Sequence, residues 1–174
     1  MSKFGNAAIE ASKTEFRQLL EKEVFVPKKW EELSSSERHD AIRSFMFFKE
    51  KLDGDGQVIK VKARFVANGK QQDDELYEDV SSPTASVTTL FTVLSLAARE
   101  KKFTAIGDIT GAYLNASMPD ENTVIVIIDN NMANIVCELD PKFERFRMKN
   151  GCLPVKLKKA LYGCKQSAML WYIT

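Results

Sequence analysis

Asp108 stands where a metal-dependent phosphoryl-transfer site would need a carboxylate. It ends the apolar run 105–108, Ala-Ile-Gly-Asp, and an aromatic residue, Tyr113, follows five positions later. Carboxylates at a strand end suit hard divalent cations, and two such ions ~3.5 to 4 Å apart can hold the attacking and leaving oxygens of a displacement. One carboxylate cannot hold both ions, so the pattern predicts half of a site. The only adjacent Asp pair, Asp73-Asp74, lies in the polar loop 71–78 with no apolar strand before it, which favours a solvated loop.

Basic residues on a predicted strand form a second candidate group. Within 57–67, strand alternation places Lys60, Lys62 and Arg64 on one face and the apolar residues between them on the other. Spacing alone favours the solvated outer face of a hairpin. The alternative is a cationic strip for phosphate groups, in which Arg64 would donate two parallel hydrogen bonds.

A β-hairpin is predicted to present that basic face. Two β-rich runs, 45–52 and 57–67, flank the turn Asp53-Gly-Asp-Gly56. An EF-hand loop is excluded, because Val58 and Arg64 occupy the positions that need glycine and glutamate.

Periodicity and capping residues predict helices before and after the hairpin. An amphipathic helix is expected from about Asn6 to Val24. A capping segment at 34–40 gives His39, the only histidine, a surface or capping role. A helix over 83–102, with Thr84 or Ser86 as its cap, is expected to cover a sheet.

The predicted strands and helices are mixed along the chain and do not alternate strictly, so the predicted fold class is α+β. The strands include 102–109, 123–128 and 153–159, and a short helix over 137–146 is expected to begin near Ile135. The closing segment 160–172 predicts a turn and then an aromatic-rich helix, which we expect to be cut at Thr174.

Composition and charge limit the classes of protein to which the chain could belong. The 174 residues, 44% of them hydrophobic, are enough for one domain with a core, and 25 basic against 24 acidic residues give no overall attraction to nucleic acid. Three cysteines without a CxxC pair predict reduced thiols. The sequence shows neither a leader nor an apolar run long enough for a membrane span, so a cytoplasmic or nuclear location is expected.

Four segments in this order resemble the reverse transcriptase of copia-type (Ty1/copia) LTR retrotransposons. They are Lys-Ala-Arg-Phe-Val-Ala-Asn-Gly at 62–69, Ser-Pro-Thr at 82–84, Gly-Asp-Ile-Thr-Gly-Ala-Tyr-Leu-Asn-Ala at 107–116 and Leu-Lys-Lys-Ala-Leu-Tyr-Gly-Cys-Lys-Gln-Ser at 157–167. The resemblance extends from about Ala8 to Thr174. It implies a partial right-hand polymerase fold, a fingers β-hairpin plus an incomplete palm sheet with covering helices. Residues 1–174 would then form one partial domain: a helical lead-in (about 1–40), the fingers hairpin (41–82) and the first part of the palm (83–174), ending before a Tyr-x-Asp-Asp hairpin.

The resemblance also implies roles for residues near Asp108. Asp108 would be the catalytic carboxylate that binds both Mg²⁺ ions, and the Ile109 carbonyl would help to hold the nucleotide-bound ion. Tyr113 would be the steric gate against a ribose 2′-hydroxyl. Lys62 and Arg64 would contact the triphosphate of the incoming nucleotide.

The last of the four segments implies contacts to the nascent base pair and the template strand. Tyr162, Gly163 and Gln166 match those positions, and glycine would allow close backbone approach. The segment departs from the commonest copia pattern at Cys164, Ser167, Ala168 and Met169, which indicates variation within a subgroup.

The implied function is a fragment of an RNA-directed DNA polymerase, a nucleotidyltransferase encoded in a transposable-element polyprotein with DNA integration functions. Its partners would be an RNA template with a DNA primer, a dNTP and the remainder of the polyprotein, with no membrane. Because the second acidic pair is absent from these 174 residues, we expect them to be inactive alone. The alternative is a non-catalytic fragment that binds nucleic acid through the basic hairpin.

Overall fold

The structure is a computed structural model that describes residues 5–73, 75, 80–120 and 123–174. The described helices are α1 (Gly5–Glu21), α2 (Ser35–His39), α3 (Val87–Arg99), α4 (Asn130–Leu139) and α5 (Ser167–Tyr172). The strands are β1 (Phe25–Pro27), β2 (Ile42–Leu52), β3 (Val58–Ala67), β4 (Ile125–Ile128) and β5 (Leu153–Leu157). Helices and strands are mixed without regular alternation, which confirms the α+β class.

One five-stranded sheet organises the fold, in the order β1-β5-β4-β2-β3. All neighbours are antiparallel except β2 and β4, which run parallel. The predicted hairpin is confirmed as β2 and β3, with the turn at 53–57 closed by the Asp53 N–H, which donates to the Gln57 carbonyl at 2.9 Å. The strands predicted at 123–128 and 153–159 are also confirmed, as β4 and β5.

The predicted N-terminal helix is confirmed as α1, and its apolar stripe supplies much of the core. Phe16 and Leu19 are fully buried, and the Phe16 ring lies 5.1 Å from that of Phe65 on β3, centroid to centroid. Burying such side chains contributes roughly 1.5–3 kcal/mol each. The core therefore fixes α1 against the apolar face of β3.

Capping side chains set two other helix starts. Ser34 and Glu37 form a capping box at α2, with His39 exposed at its end, as the sequence predicts. The helix expected near Ile135 begins earlier, at Asn130, because the Asp129 carboxylate accepts hydrogen bonds from two backbone N–H groups of its first turn.

Two predictions about the region from 83 to 110 are wrong. Residues 102–109 form no strand, and α3 covers no sheet, since none of its residues is buried. Phe103 and Ile106 are fully exposed. A strand forms only where a neighbour accepts and donates its backbone hydrogen bonds, and no described strand pairs with this segment.

Candidate functional site

Three sequence motifs meet in one group of stacked side chains, the Arg–Tyr stack of Arg64, Tyr162 and Tyr113. The Arg64 guanidinium lies 4.3 Å from the centroid of the Tyr162 ring. The Tyr162 ring lies 5.2 Å from that of Tyr113, centroid to centroid. Cation–π and aromatic contacts of this kind contribute about 0.5–2 kcal/mol each. The stack brings Arg64 of the hairpin, Tyr113 of the Asp108 motif and Tyr162 of the last motif to one place.

Burial raises the pKa of the Tyr162 phenol. The positive charge of Arg64 lowers that pKa, while Glu15, Tyr113 and Asp108 raise it further. The phenol is therefore neutral at physiological pH, and its ring is an uncharged partner for the Arg64 guanidinium.

A backbone contact fixes the loop that carries Tyr162 to the hairpin. The Ala67 N–H donates to the Tyr162 carbonyl at 2.8 Å, extending the outer edge of β3. Gly163 has a φ of 92°, and a Cβ there would overlap the Ala67 carbonyl oxygen. Only glycine fits this approach without strain. Gly163 thus serves the contact between the loop and β3 in this structure.

Gln166 makes its hydrogen bonds within the protein. Its side chain is buried, its Oε1 accepts from Gln72 Nε2 at 3.1 Å, and its Nε2 lies 3.4 Å from the Met118 sulfur. Gln72 also accepts from the Lys165 N–H at 2.9 Å and so joins the hairpin's exit loop to the last motif. Sequence reasoning missed Gln72, because nothing in its polar neighbourhood indicates burial.

A buried carboxylate supports the strand that carries the cations. Glu15 of α1 accepts a hydrogen bond from the Phe65 N–H at 3.1 Å. Burial raises the pKa of Glu15, while this hydrogen bond and the charges of Arg64 and Lys62 lower it. Sequence reasoning missed Glu15, which lies on the buried stripe of α1 where an apolar residue is usual.

The exposed face of the hairpin is basic on both strands. Lys62 lies opposite Lys49, Lys60 opposite Lys51, and Arg64 opposite Phe47. These pairs border a groove of about 460 Å³, lined by Phe47, Lys49, Lys51, Lys62 and Arg64. The alternation predicted for β3 is confirmed, and the same alternation in β2 could have identified Lys49 and Lys51.

Asp108 and Ile109 lie on the exposed segment before the Gly111 turn, where Ile109 is 58% exposed. Gly111 adopts the left-handed conformation that begins the 3₁₀ turn of Tyr113. Within the described ranges, no group of three or more His, Cys, Asp or Glu side chains comes together. Asp108 and the Ile109 carbonyl alone therefore do not fit a two-ion site, for which two or three carboxylates would be needed.

No helix in the part of the chain that the structure describes is long and apolar enough to cross a lipid bilayer.

Comparison with known proteins gives the class of the chain. The family described as Reverse transcriptase (RNA-dependent DNA polymerase) matches residues 27–174. The chain therefore belongs to the reverse transcriptase family, as the reverse transcriptase domain of a copia-type retrotransposon. Enzymes of this family generally use a divalent metal ion.

Similar proteins include transposon polyproteins of plants and yeast. The chain is 32% identical over 127 residues to the Retrovirus-related Pol polyprotein from transposon TNT 1-94 of Nicotiana tabacum, which covers 72% of the chain. It is 30% identical over 167 residues, 95% of the chain, to the Transposon Ty1-NL2 Gag-Pol polyprotein of Saccharomyces cerevisiae. It spans 8% of the length of each of these two polyproteins. No solved structure matches the chain significantly.

Proposed function

We propose that these residues form the fingers hairpin and the first part of the palm of an RNA-directed DNA polymerase, and that they bind the incoming dNTP. The Arg–Tyr stack carries the proposal. It joins motifs far apart in the chain and holds a guanidinium beside two hydroxyl-bearing rings. The division into a lead-in (1–40), fingers (41–82) and palm (83–174) is part of the proposal.

The site residues have different roles in binding the nucleotide. Lys62 and Arg64 offset the negative charge of the triphosphate, and the stack on Tyr162 fixes the plane in which Arg64 presents its N–H groups. The Tyr113 ring, which contacts the Tyr162 ring, would stand against the sugar. Gly163 and Gln166 set the shape of the loop that approaches the nascent base pair.

We propose that Asp108 and the Ile109 carbonyl would bind metal only as part of a longer chain. Magnesium would neutralise phosphate charge in the complete enzyme, but the described residues supply too few carboxylates to hold it. Nucleotidyl transfer is accordingly proposed for the polyprotein, with RNA template and DNA primer as partners and a cytoplasmic or nuclear location. Alone, the 174 residues are expected to incorporate no nucleotide.

Triphosphate binding tests the proposal directly. A fluorescent dATP analogue should bind the 174-residue chain more tightly than the matching monophosphate, and the Lys62→Gln/Arg64→Gln variant should lose that preference. The matched control is Lys29→Gln/Lys142→Gln, which removes the same charge from side chains that are 51% and 67% exposed and ion-paired elsewhere. Equal binding of tri- and monophosphate by the unmodified chain would overturn the proposal. Template-dependent incorporation that is lost in Asp108→Asn would overturn the expected inactivity.

A second function is favoured by the basic groove on the hairpin. Without chemistry, the fragment could bind RNA or DNA through Lys60, Lys62 and Arg64, and the affinity would then fall steeply with salt.

A further inference from the structure

Helix α1 contacts the two elements that carry the outer members of the Arg–Tyr stack. Its buried stripe packs on β3, which carries Arg64. At the other end, the residue that follows α1 contacts the 3₁₀ turn that carries Tyr113. None of the four segments that carry the resemblance includes α1, and the resemblance assigns it no role.

Glu15 of α1 supports the end of the stack that carries Arg64. Its carboxylate is buried and accepts from the N–H of Phe65, the residue after Arg64, at 3.1 Å. Backbone N–H groups two residues apart on a strand point to the same side, and the Ala67 N–H donates to the Tyr162 carbonyl. Since β3 is the last strand of the sheet, α1 and the Tyr162 loop close two successive positions of its outer edge.

A carboxylate at this position is better suited to fixing the strand than to stabilising the core. Burial raises the pKa of Glu15, which shows that its charged form loses hydration there. An apolar residue would pack on β3 without that cost. Apolar contacts are not directional, however, whereas a hydrogen bond sets both the distance and the direction of its partner. The Glu15 carboxylate therefore fixes the backbone next to Arg64 in a way that Phe16 and Leu19 do not.

The other end of α1 supports the turn that carries Tyr113. Lys22 Nζ donates to Asn115 Oδ1 at 2.6 Å, and Asn115 Nδ2 donates to the Gly111 carbonyl at 3.3 Å. Gly111 begins this turn and Asn115 ends it. Gln18 lies against the same turn, because a Cβ at Gly111 would be 2.9 Å from the Gln18 Nε2. Lys22 thus fixes the amide that closes the turn.

We propose that α1 positions the Arg–Tyr stack for triphosphate binding, with Glu15 as the positioning residue for Arg64 and Lys22 as the positioning residue for Tyr113. Glu15 acts through the backbone of β3, and Lys22 acts through Asn115. The proposal rests on the proposed function, since it names residues that hold the groups assigned there to the nucleotide.

Two substitutions of Glu15 separate positioning from charge. Glu15→Ala and Glu15→Gln both remove the charge, but only Gln keeps an acceptor for the Phe65 N–H. The fluorescent dATP analogue should bind Glu15→Ala about fivefold more weakly than Glu15→Gln, as expected for the loss of one hydrogen bond. Ser12→Ala is the matched control, because the buried Ser12 hydroxyl donates within α1, to the Ala8 carbonyl. It should leave the affinity unchanged.

The ring current of Tyr162 gives a readout that a loss of stability alone would not change in the folded protein. The Arg64 guanidinium lies over this ring, so the Arg64 side-chain protons should resonate upfield of those of exposed arginines. This upfield shift should shrink in Glu15→Ala and persist in Glu15→Gln. Glu15→Asp keeps the charge but is one methylene shorter, so it should behave like Glu15→Ala. It replaces Glu15→Ala if circular dichroism shows that the alanine variant is unfolded.

Lys22→Met tests the other end of the stack. It removes the donor to Asn115 and keeps the apolar stem of the side chain. The nuclear Overhauser effect between the rings of Tyr113 and Tyr162, whose centroids are 5.2 Å apart, should weaken. Lys29→Met is the matched control, because that side chain is 51% exposed and ion-paired elsewhere.

Several results would overturn the proposal. They are equal triphosphate binding by Glu15→Ala and Glu15→Gln, an equal loss in Ser12→Ala, an unchanged Arg64 shift in Glu15→Ala, and an unchanged ring contact in Lys22→Met. Any of them, with a Lys62→Gln/Arg64→Gln variant that still loses its preference for the triphosphate, would leave the proposed function standing. If instead the unmodified chain shows no such preference, the proposed function fails. The two NMR readouts would then still decide whether α1 positions the stack.

Discussion

The Arg–Tyr stack and the segment that carries Asp108 are held in different ways. Arg64 and Tyr162 stand on backbone that is hydrogen-bonded between β3 and the 162–163 loop and backed by α1. By contrast, every described residue of 83–110 is exposed except for the half-buried Ala97, and the helix in this segment buries none of its side chains. The part of the site that would bind phosphates is thus preorganised, whereas the described residues provide no packing to fix the part that would bind metal.

That difference shows what each kind of chemistry needs from the fold. Flexible cationic side chains bind phosphates wherever their strand is fixed, and one hairpin with one helix is enough for that. A metal site needs carboxylates held to within fractions of an ångström by neighbouring elements. Among the described residues, Asp108 lacks such neighbours.

The largest effect should separate the two regions by their contribution to stability. Phe16→Ala removes a fully buried ring that contacts Phe65, and it should lower the free energy of unfolding by about 3–5 kcal/mol. Phe91→Ala removes a ring that is 62% exposed, and it should change the same quantity by less than ~0.5 kcal/mol. Urea titrations of both variants provide the measurement. A loss in Phe91→Ala close to that in Phe16→Ala would mean that α3 is packed in solution.

A smaller effect should come from the carboxylate beneath the hairpin. Glu15→Ala leaves the buried Phe65 N–H without an acceptor, which costs about 1–3 kcal/mol. Glu15→Gln keeps an acceptor and removes the buried charge. Because the folded-state pKa of Glu15 is raised, its stabilising contribution is complete below the unfolded carboxyl pKa and is lost as the pH rises through the folded pKa.

The free energy of unfolding of Glu15→Gln should therefore increase relative to that of the unmodified chain as the pH rises through that range. Glu10→Gln, on the same helix with a side chain that is 69% exposed, is the matched control. A pH-independent difference for Glu15→Gln would show that the carboxylate is not desolvated in solution.

The sequence predicted the hairpin side of this comparison better than the Asp108 side, for a physical reason. Alternation in β3 depends on contacts between residues close in the chain, so the pattern was sufficient for Lys62 and Arg64. A strand at 102–109 would also contain apolar residues, but it depends on partners that no described strand supplies. Glu15 and Gln72 were missed because a buried polar residue looks like a surface residue until its partner, far away in the chain, is known.

The smallest effect should come from Asp108→Asn, which tests both sides of the comparison at once. Asp108 is exposed, so the change should alter the free energy of unfolding by less than ~0.5 kcal/mol. Its carboxylate is nevertheless one of the groups that raise the pKa of Tyr162, so the Tyr162 phenol should titrate at a lower pH in the variant. A carbon-13 label in the tyrosine rings would report the Tyr162 titration by NMR, with Asp55→Asn at the hairpin tip as the control. A lower phenol pKa without a change in stability would mean that Asp108 is near the stack yet unsupported. An unchanged phenol pKa would place Asp108 away from the Arg–Tyr stack and separate the two halves of the proposed site.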